Sequence, residues 1–140
     1  MIFTLRRAVP GDRDRWLLLD RHIDPGVLER KLRDGEGLVL EREGEIVGIL
    51  RWNLFWDSVP FCTLLYMRED ARHQGDGRML LEAWERDMKA RGHGMVMTST
   101  QADEDAQHFY RKLGYRDAGG FVVNVPGYEQ PLELVMIKGV

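Results

Sequence analysis

From residue 61 to residue 99 the chain passes through an apolar run, a glycine-bearing polar loop, an amphipathic helix pattern and a second apolar run. No other stretch narrows the choice of fold so far. Phe61 to Met67 is nearly all apolar, the pattern of a central strand buried on both faces. Arg78 to Arg91 reads as a helix. Leu80, Trp84 and Met88 stand at i, i+4 and i+8 on one stripe, and Gly92 ends it. Met95 to Ser99 is the next strand. Two strands joined through a helix are predicted to lie parallel, with a right-handed crossover.

The loop inside this unit carries Arg72, His73, Gln74, Gly75, Asp76 and Gly77. A loop that leaves a strand and opens a helix points backbone N–H groups, at the positive end of the helix dipole, toward one spot. That spot suits a phosphate or pyrophosphate. Glycine at 75 and 77 lets the backbone approach the anion and adopt positive φ. A G-x-G before a helix can also be no more than a cap. The dinucleotide fingerprint fits poorly, because Leu80 stands where a third glycine belongs. The nucleotide P-loop fails as well, since no Gly-Lys-Ser/Thr follows.

Elsewhere the punctuation is clear. Residues 2 to 8 read as a strand broken by Pro10-Gly11-Asp12, with Asp12 as N-cap of a helix running toward Asp20. Pro25 suits the first turn of a second helix that ends near Asp34-Gly35. Leu38 to Arg42 and Glu45 to Trp52 form a hairpin about Glu43-Gly44. Asn53 to Pro60 reads as a loop rich in aromatics. Thr100 to Asp103 resembles a helix start, Ala106, Phe109, Tyr110 and Leu113 form that helix's inward face, and Gly114 is its C′ residue. Two strands, near 115–123 and 132–138, finish the chain. The order β-α-α-β-β-β-α-β-α-β-β predicts a mixed α/β sheet with helices packed on it.

At 140 residues, one domain spanning 1–140 is expected. A net charge of −3 and the lack of any Lys/Arg block give little support to nucleic acid or an anionic membrane as partner. Cys62 is the only cysteine, so no intrachain disulfide can form and a reducing cytoplasm fits. Met1 to Arg7 has neither the apolar stretch nor the cleavage site of a secretory signal, and no apolar run approaches the roughly 20 residues of a membrane span. The four His show no ligand spacing with Cys or carboxylates, so no metal is expected.

Two motifs together resemble the GNAT superfamily of acyl-CoA-dependent N-acyltransferases. The pyrophosphate loop of that family, Arg/Gln-x-x-Gly-x-Gly/Ala, is matched by residues 72 to 77. Its second signature is matched by Ala106-Gln107-His108-Phe109-Tyr110-Arg111-Lys112-Leu113-Gly114-Tyr115. The element order agrees from end to end. The resemblance implies a mixed, mostly antiparallel sheet whose central parallel pair, the fourth and fifth strands, splays apart. It implies acetyl-CoA as cosubstrate, its pyrophosphate on the loop amides from Gln74 through Arg78, with Arg72 and His73 beside them. The strand end near Leu65 to Met67 pairs with the pantetheine arm and offers an amide to the thioester carbonyl. Ser99 and Asp103 fall on the cofactor side as well. Tyr110 matches the tyrosine that protonates the leaving thiolate. Two positions depart from the pattern: Asp76 replaces an aliphatic residue, and Asp103 replaces an asparagine common in the family. A carboxylate at 76 would repel a pyrophosphate unless its side chain points away.

Thioester-to-amine transfer needs a neutral amine, a stabilised oxyanion and a protonated or solvated thiolate. Tyr110 is the candidate acid, against the reading of a core aromatic. Glu69 is the candidate base, against a solvated loop carboxylate, with Glu104 and His108 behind it. Cys62, inside an apolar strand, reads as core packing. The run from Trp84 to Lys89 reads as a solvated helix face. Trp52, Phe55, Trp56 and Asp57 are candidates to cradle a small amine through cation–π and charge contacts. The same aromatics suit a hydrophobic plug or a homodimer face. The function expected is N-acetyl transfer from acetyl-CoA to a primary amine of a small or peptide acceptor by direct attack in a ternary complex. The alternative is a non-catalytic acyl-CoA-binding module.

Overall fold

A computed structural model describes residues 2–140. Seven strands form one sheet in the order β1-β2-β3-β4-β5-β7-β6. They are β1 (Phe3–Arg7), β2 (Gly37–Arg42), β3 (Glu45–Phe55), β4 (Val59–Met67), β5 (Met95–Gln101), β6 (Arg116–Phe121) and β7 (Glu133–Gly139). Every neighbouring pair is antiparallel except β4 and β5, which are parallel as expected. The helices are α1 (Arg13–Leu17), α2 (Pro25–Asp34), α3 (Asp76–Ala90) and α4 (Ala106–Lys112). Among the described residues, no helix is long and apolar enough to cross a membrane.

The period-two alternation of the strands sends side chains to two cores. On one face Val39 and Ile49 meet Trp16, Leu28 and Leu32 of α1 and α2. On the other, Leu50, Cys62 and Val96 meet Leu80, Leu81, Trp84 and Met88 of α3 and Tyr110 of α4. The ends of α2 follow their sequence signals, whereas α4 starts at Ala106, later than Thr100 to Asp103 suggested, because Thr100 and Gln101 still belong to β5. Asp24 caps α2 by accepting from the N–H groups of Gly26 and Val27, and Gly35 closes it in the left-handed region at φ 73°. Glu43 and Gly44, at φ 53° and 83°, make the expected tight turn.

Four further expectations are corrected. Asp12 occupies the N-cap position of α1, but its side chain bonds no N–H of that helix. It ends a 3₁₀ turn, Pro10–Asp12, and its own backbone is already helical. Its buried carboxylate turns back to accept from the Val9 N–H at 2.8 Å and from Arg6 and Arg15 at 2.8 and 3.0 Å. Residues 53–60 are not a loop. β3 and β4 pair through Asn53↔Phe61 to Phe55↔Val59, leaving a turn of Trp56, Asp57 and Ser58. Pro60 is tolerated because it precedes β4's first pair with β5, where its missing N–H breaks no ladder on that side. β4 is not buried on both faces. Leu64 to Met67 are only half-buried, because β5 leaves β4 after two residue pairs. The helix face from Trp84 to Lys89 is not wholly solvated. Glu85 is buried beneath Tyr115 and Lys138, which donate to it at 2.7 and 2.9 Å.

Asp12 supplies a stability prediction. The hydrogen bonds from Arg6, above all, hold its carboxyl below the ordinary 3.8. A depressed folded-state pKa adds stability above the unfolded value, and that stability is lost as pH falls through the folded one. Asp12→Asn is therefore expected to lower the melting temperature at pH 7 and to flatten the loss of stability below about pH 4, as read by thermal unfolding across pH.

Candidate active site

The parallel pairing of β4 and β5 stops after Phe61↔Met97 and Cys62↔Thr98. Thr98 Oγ1–H donates to the Cys62 carbonyl at 3.0 Å and ties the strands together at the last point of contact. Immediately beyond it β4 carries a bulge. Arg51 faces Leu64 and Trp52 faces Cys62, so Thr63 is an extra residue. A bulge bends and twists its strand, and here it turns the strand away from β5. The Arg68 N–H donates to Val47 O on β3 at 2.8 Å. Alternation along the antiparallel ladder then turns the N–H and C=O groups of Leu65 and Met67 to the open side. The Met67 carbonyl takes a bond from Arg72 Nε at 2.9 Å, and the Arg72 guanidinium lies 5.2 Å from the Tyr66 ring centroid. The arginine of the loop is thus held against the strand end.

Two cavities meet at this splay. A groove of about 780 Å³ runs along Leu65, Tyr66 and Met67, past Arg72, His73, Gly75, Gly77 and Arg78, to Ala106, Phe109 and Tyr110 on α4. A cleft of about 250 Å³ lies between the parted strands, lined by Thr63 to Leu65, Thr98 to Gln101, Glu104, Ala106, Tyr110 and Glu133. Leu65, Glu104, Ala106 and Tyr110 line both. Gly75 is the N-cap of α3 at φ 81°, a conformation that side chains rarely adopt. A Cβ on Gly77 would lie 3.4 Å from Met67 Cγ and 3.8 Å from Phe109 Cζ, so a side chain there would crowd the groove wall. Open backbone, two arginines and a helix N-terminus fit a pyrophosphate.

Tyr110 is 6% exposed and packs edge-on against Phe109 and Tyr115. Burial, chiefly, holds its phenol well above the ordinary range, so it stays protonated. The same surroundings push the Cys62 thiol up to about 12, which leaves it a packed, inert thiol as expected.

The structure sorts the remaining candidates. Leu65, Met67, Arg72, His73, Gly75, Gly77 and Arg78 line the groove, and Ser99 lines the cleft. Gln74 lies outside the lining and bonds Arg42 and the Asp70 carbonyl. Asp76 is 4% exposed, does not line the groove, and has its Oδ2 buried without a hydrogen-bond partner among the described residues. Asp103 is exposed and lines neither cavity. Glu69 is likewise exposed, on a 3₁₀ turn at Glu69–Ala71, and lines neither. Glu104 lines both. His108 is exposed and outside both. The acceptor group disperses. Trp52 is 5% exposed in the core, with the Arg91 guanidinium 5.5 Å from its ring centroid. Phe55, Trp56 and Asp57 form the hairpin tip at the start of β4, whereas the cleft opens past its middle, and none of them lines either cavity. Glu133, which sequence reasoning did not single out, reaches the cleft because it pairs with Gln101 across β5 and β7. Only that long-range register could have revealed it.

Comparison with known proteins bears on this arrangement. A family model described as Acetyltransferase (GNAT) domain matches residues 33–117. Among similar solved structures is the ribosomal-protein-S18-alanine N-acetyltransferase of Escherichia coli, at TM-score 0.84 and 16% identity over 99% of this chain and 94% of that one. Another is the diaminobutyrate acetyltransferase of Paenibacillus lautus, in complex with L-2,4-diaminobutyric acid and coenzyme A. It has a TM-score of 0.83 and 16% identity over 99% of this chain and 95% of that one. A GNAT family acetyltransferase from Elizabethkingia anophelis with acetyl-CoA bound has a TM-score of 0.77 and 18% identity over 99% and 98%. At these identities the likeness is one of fold. A search of curated protein sequences finds no match.

Proposed function

The chain belongs to the GNAT acetyltransferase family, and on that premise we propose that it acetylates the primary amine of a small acceptor by direct attack on acetyl-CoA. In this reading the groove is the cofactor site and the cleft between the strands is the acceptor site. The observation that carries it is that the two meet at Tyr110, beside the open edge of β4. The amides of the loop around Gly75 and Gly77, with Arg72 and Arg78, hold the pyrophosphate. Leu65 and Met67 pair with the pantetheine arm as an added strand.

An acetyl thioester supplies the activated carbonyl. The amine lone pair forms the C–N bond as the C–S bond breaks. Tyr110 donates its proton to the departing sulfur. Glu104, at the junction of the two cavities, receives the proton the nitrogen loses, and proton exchange through water restores Tyr110. The products are the amide and CoA thiol. No covalent enzyme intermediate is required, and the buried Cys62 is unsuited to form one. Initial-rate kinetics are the test. Intersecting double-reciprocal lines and no acetylated enzyme are expected; parallel lines with acetyl label retained on the protein would refute direct attack. We assign the reaction to the cytoplasm, in keeping with a lone unpaired cysteine, and cell fractionation checks that.

Gly75→Val and Gly77→Val test the cofactor site. The first forces a β-branched residue to positive φ, and the second thrusts methyls toward Met67 and Phe109. Each is expected to weaken CoA binding by about tenfold or more in calorimetry on folded protein. Unchanged affinity would move the pyrophosphate elsewhere.

A further inference from the structure

We propose that the small acceptor is a diamine or polyamine, whose reacting nitrogen faces Tyr110 and Glu104 and whose second ammonium is held by Glu133. The inference rests on the acetyltransferase reading above and specifies the chemistry of its cleft. Two carboxylates, Glu104 and Glu133, line that cleft, and its other polar side chains are the hydroxyls of Thr63, Thr98, Ser99, Thr100 and Tyr110 with the amide of Gln101. Among the described residues no lysine, arginine or histidine lines it. Among the described residues no cation pairs with either carboxylate. Gln130 donates to one oxygen of Glu133 at 2.8 Å and fixes the side chain, while among the described residues no side chain donates to the other oxygen.

An acceptor bearing a carboxylate beside its amine would enter this cleft against two like charges and would find no cation to receive it. A monoamine would leave the second oxygen of Glu133 to water. A second ammonium satisfies it. The volume, about 250 Å³, is that of about eight waters at roughly 30 Å³ each. A short aliphatic chain with an amine at each end has about that many heavy atoms. The chemistry therefore selects for charge at two ends and against negative charge.

Three compounds with the same five-carbon chain separate the possibilities: 1,5-diaminopentane, n-pentylamine and lysine. At saturating acetyl-CoA the diamine is expected to show kcat/KM about tenfold or more above the other two, the scale of one charge-assisted hydrogen bond. Glu133→Gln is expected to raise KM for the diamine about tenfold and to erase most of its advantage over n-pentylamine. Rising salt should raise the diamine KM in the wild-type protein. Equal or better turnover of lysine or n-pentylamine, or an undiminished diamine preference in Glu133→Gln, would overturn the proposal and leave the transferase reading intact. Binding of acetyl-CoA with no turnover of any of the three would overturn the diamine proposal, and the transferase reading falls with it only if a broad panel of other primary amines also goes unacetylated.

Discussion

Tyr110→Phe is expected to lower kcat by roughly tenfold to a thousandfold, within the range of lost acid catalysis, while CoA affinity barely changes. The substitution keeps the ring that packs against Phe109 and Tyr115 and removes the hydroxyl alone. The buried phenol is held above its usual range, which by itself makes it a reluctant acid. Among the described residues, Tyr110 is nonetheless the one hydroxyl-bearing side chain that lines both cavities. The raised phenol also carries a pH consequence. Tyr110 keeps its proton below its ordinary value of 10 and above it, so kcat should show no falling limb from its ionisation up to pH 10. A pH–rate profile and single-turnover rates check both statements. A variant with wild-type kcat, measured where chemistry limits the rate, would remove Tyr110 from the reaction.

What was legible in the sequence was local. Glycines near the ends of helices are conformational necessities, so Gly35, Gly92 and Gly114 could be read without a partner in view. The loop from Arg72 to Gly77 and the helix from Ala106 to Gly114 are likewise short, and their chemistry lies within a few residues. What escaped depends on pairing across the sheet. The aromatic stretch after Trp52 looked like a loop because it lacks the Asn-Gly or Asp-Gly pair that marks a tight hairpin. In the structure Trp56 and Asp57 accept positive φ, and the strands simply continue. The alternation of β3 then sends Trp52 into the core while the hairpin carries Phe55 and Trp56 to the far end of β4. Glu133 and Glu85 were invisible for the same reason. One is brought to the cleft by the β5–β7 register, and the other is buried by Tyr115 and Lys138 from distant segments. Asp76 was the converse case: its local context suggested a carboxylate lining the ligand site, whereas it is buried and does not line the groove.

The proposed cofactor groove depends on α3, because that helix opens at Gly75 beside the groove and packs its flank on β3 and β4. Trp84 lies at the centre of that flank, fully buried. Trp84→Ala removes the largest side chain of α3 and leaves a cavity, an expected loss of about 3–5 kcal/mol. Trp84→Phe should cost far less than the change in size suggests. Among the described residues the buried indole Nε1–H has no acceptor. Leaving such a donor unmatched costs about 1–3 kcal/mol, and phenylalanine removes that cost along with part of the ring. A net loss near 1 kcal/mol is expected for it, as the lost area and the removed penalty offset each other. Urea unfolding of both variants, with unchanged m-values, separates the terms. A Phe variant as unstable as the Ala variant would mean that indole volume alone decides the packing. Calorimetry adds the functional reading. The Ala variant should bind CoA more weakly at temperatures where it remains folded, because a loosened α3 no longer holds Gly77 beside Met67 on the groove wall.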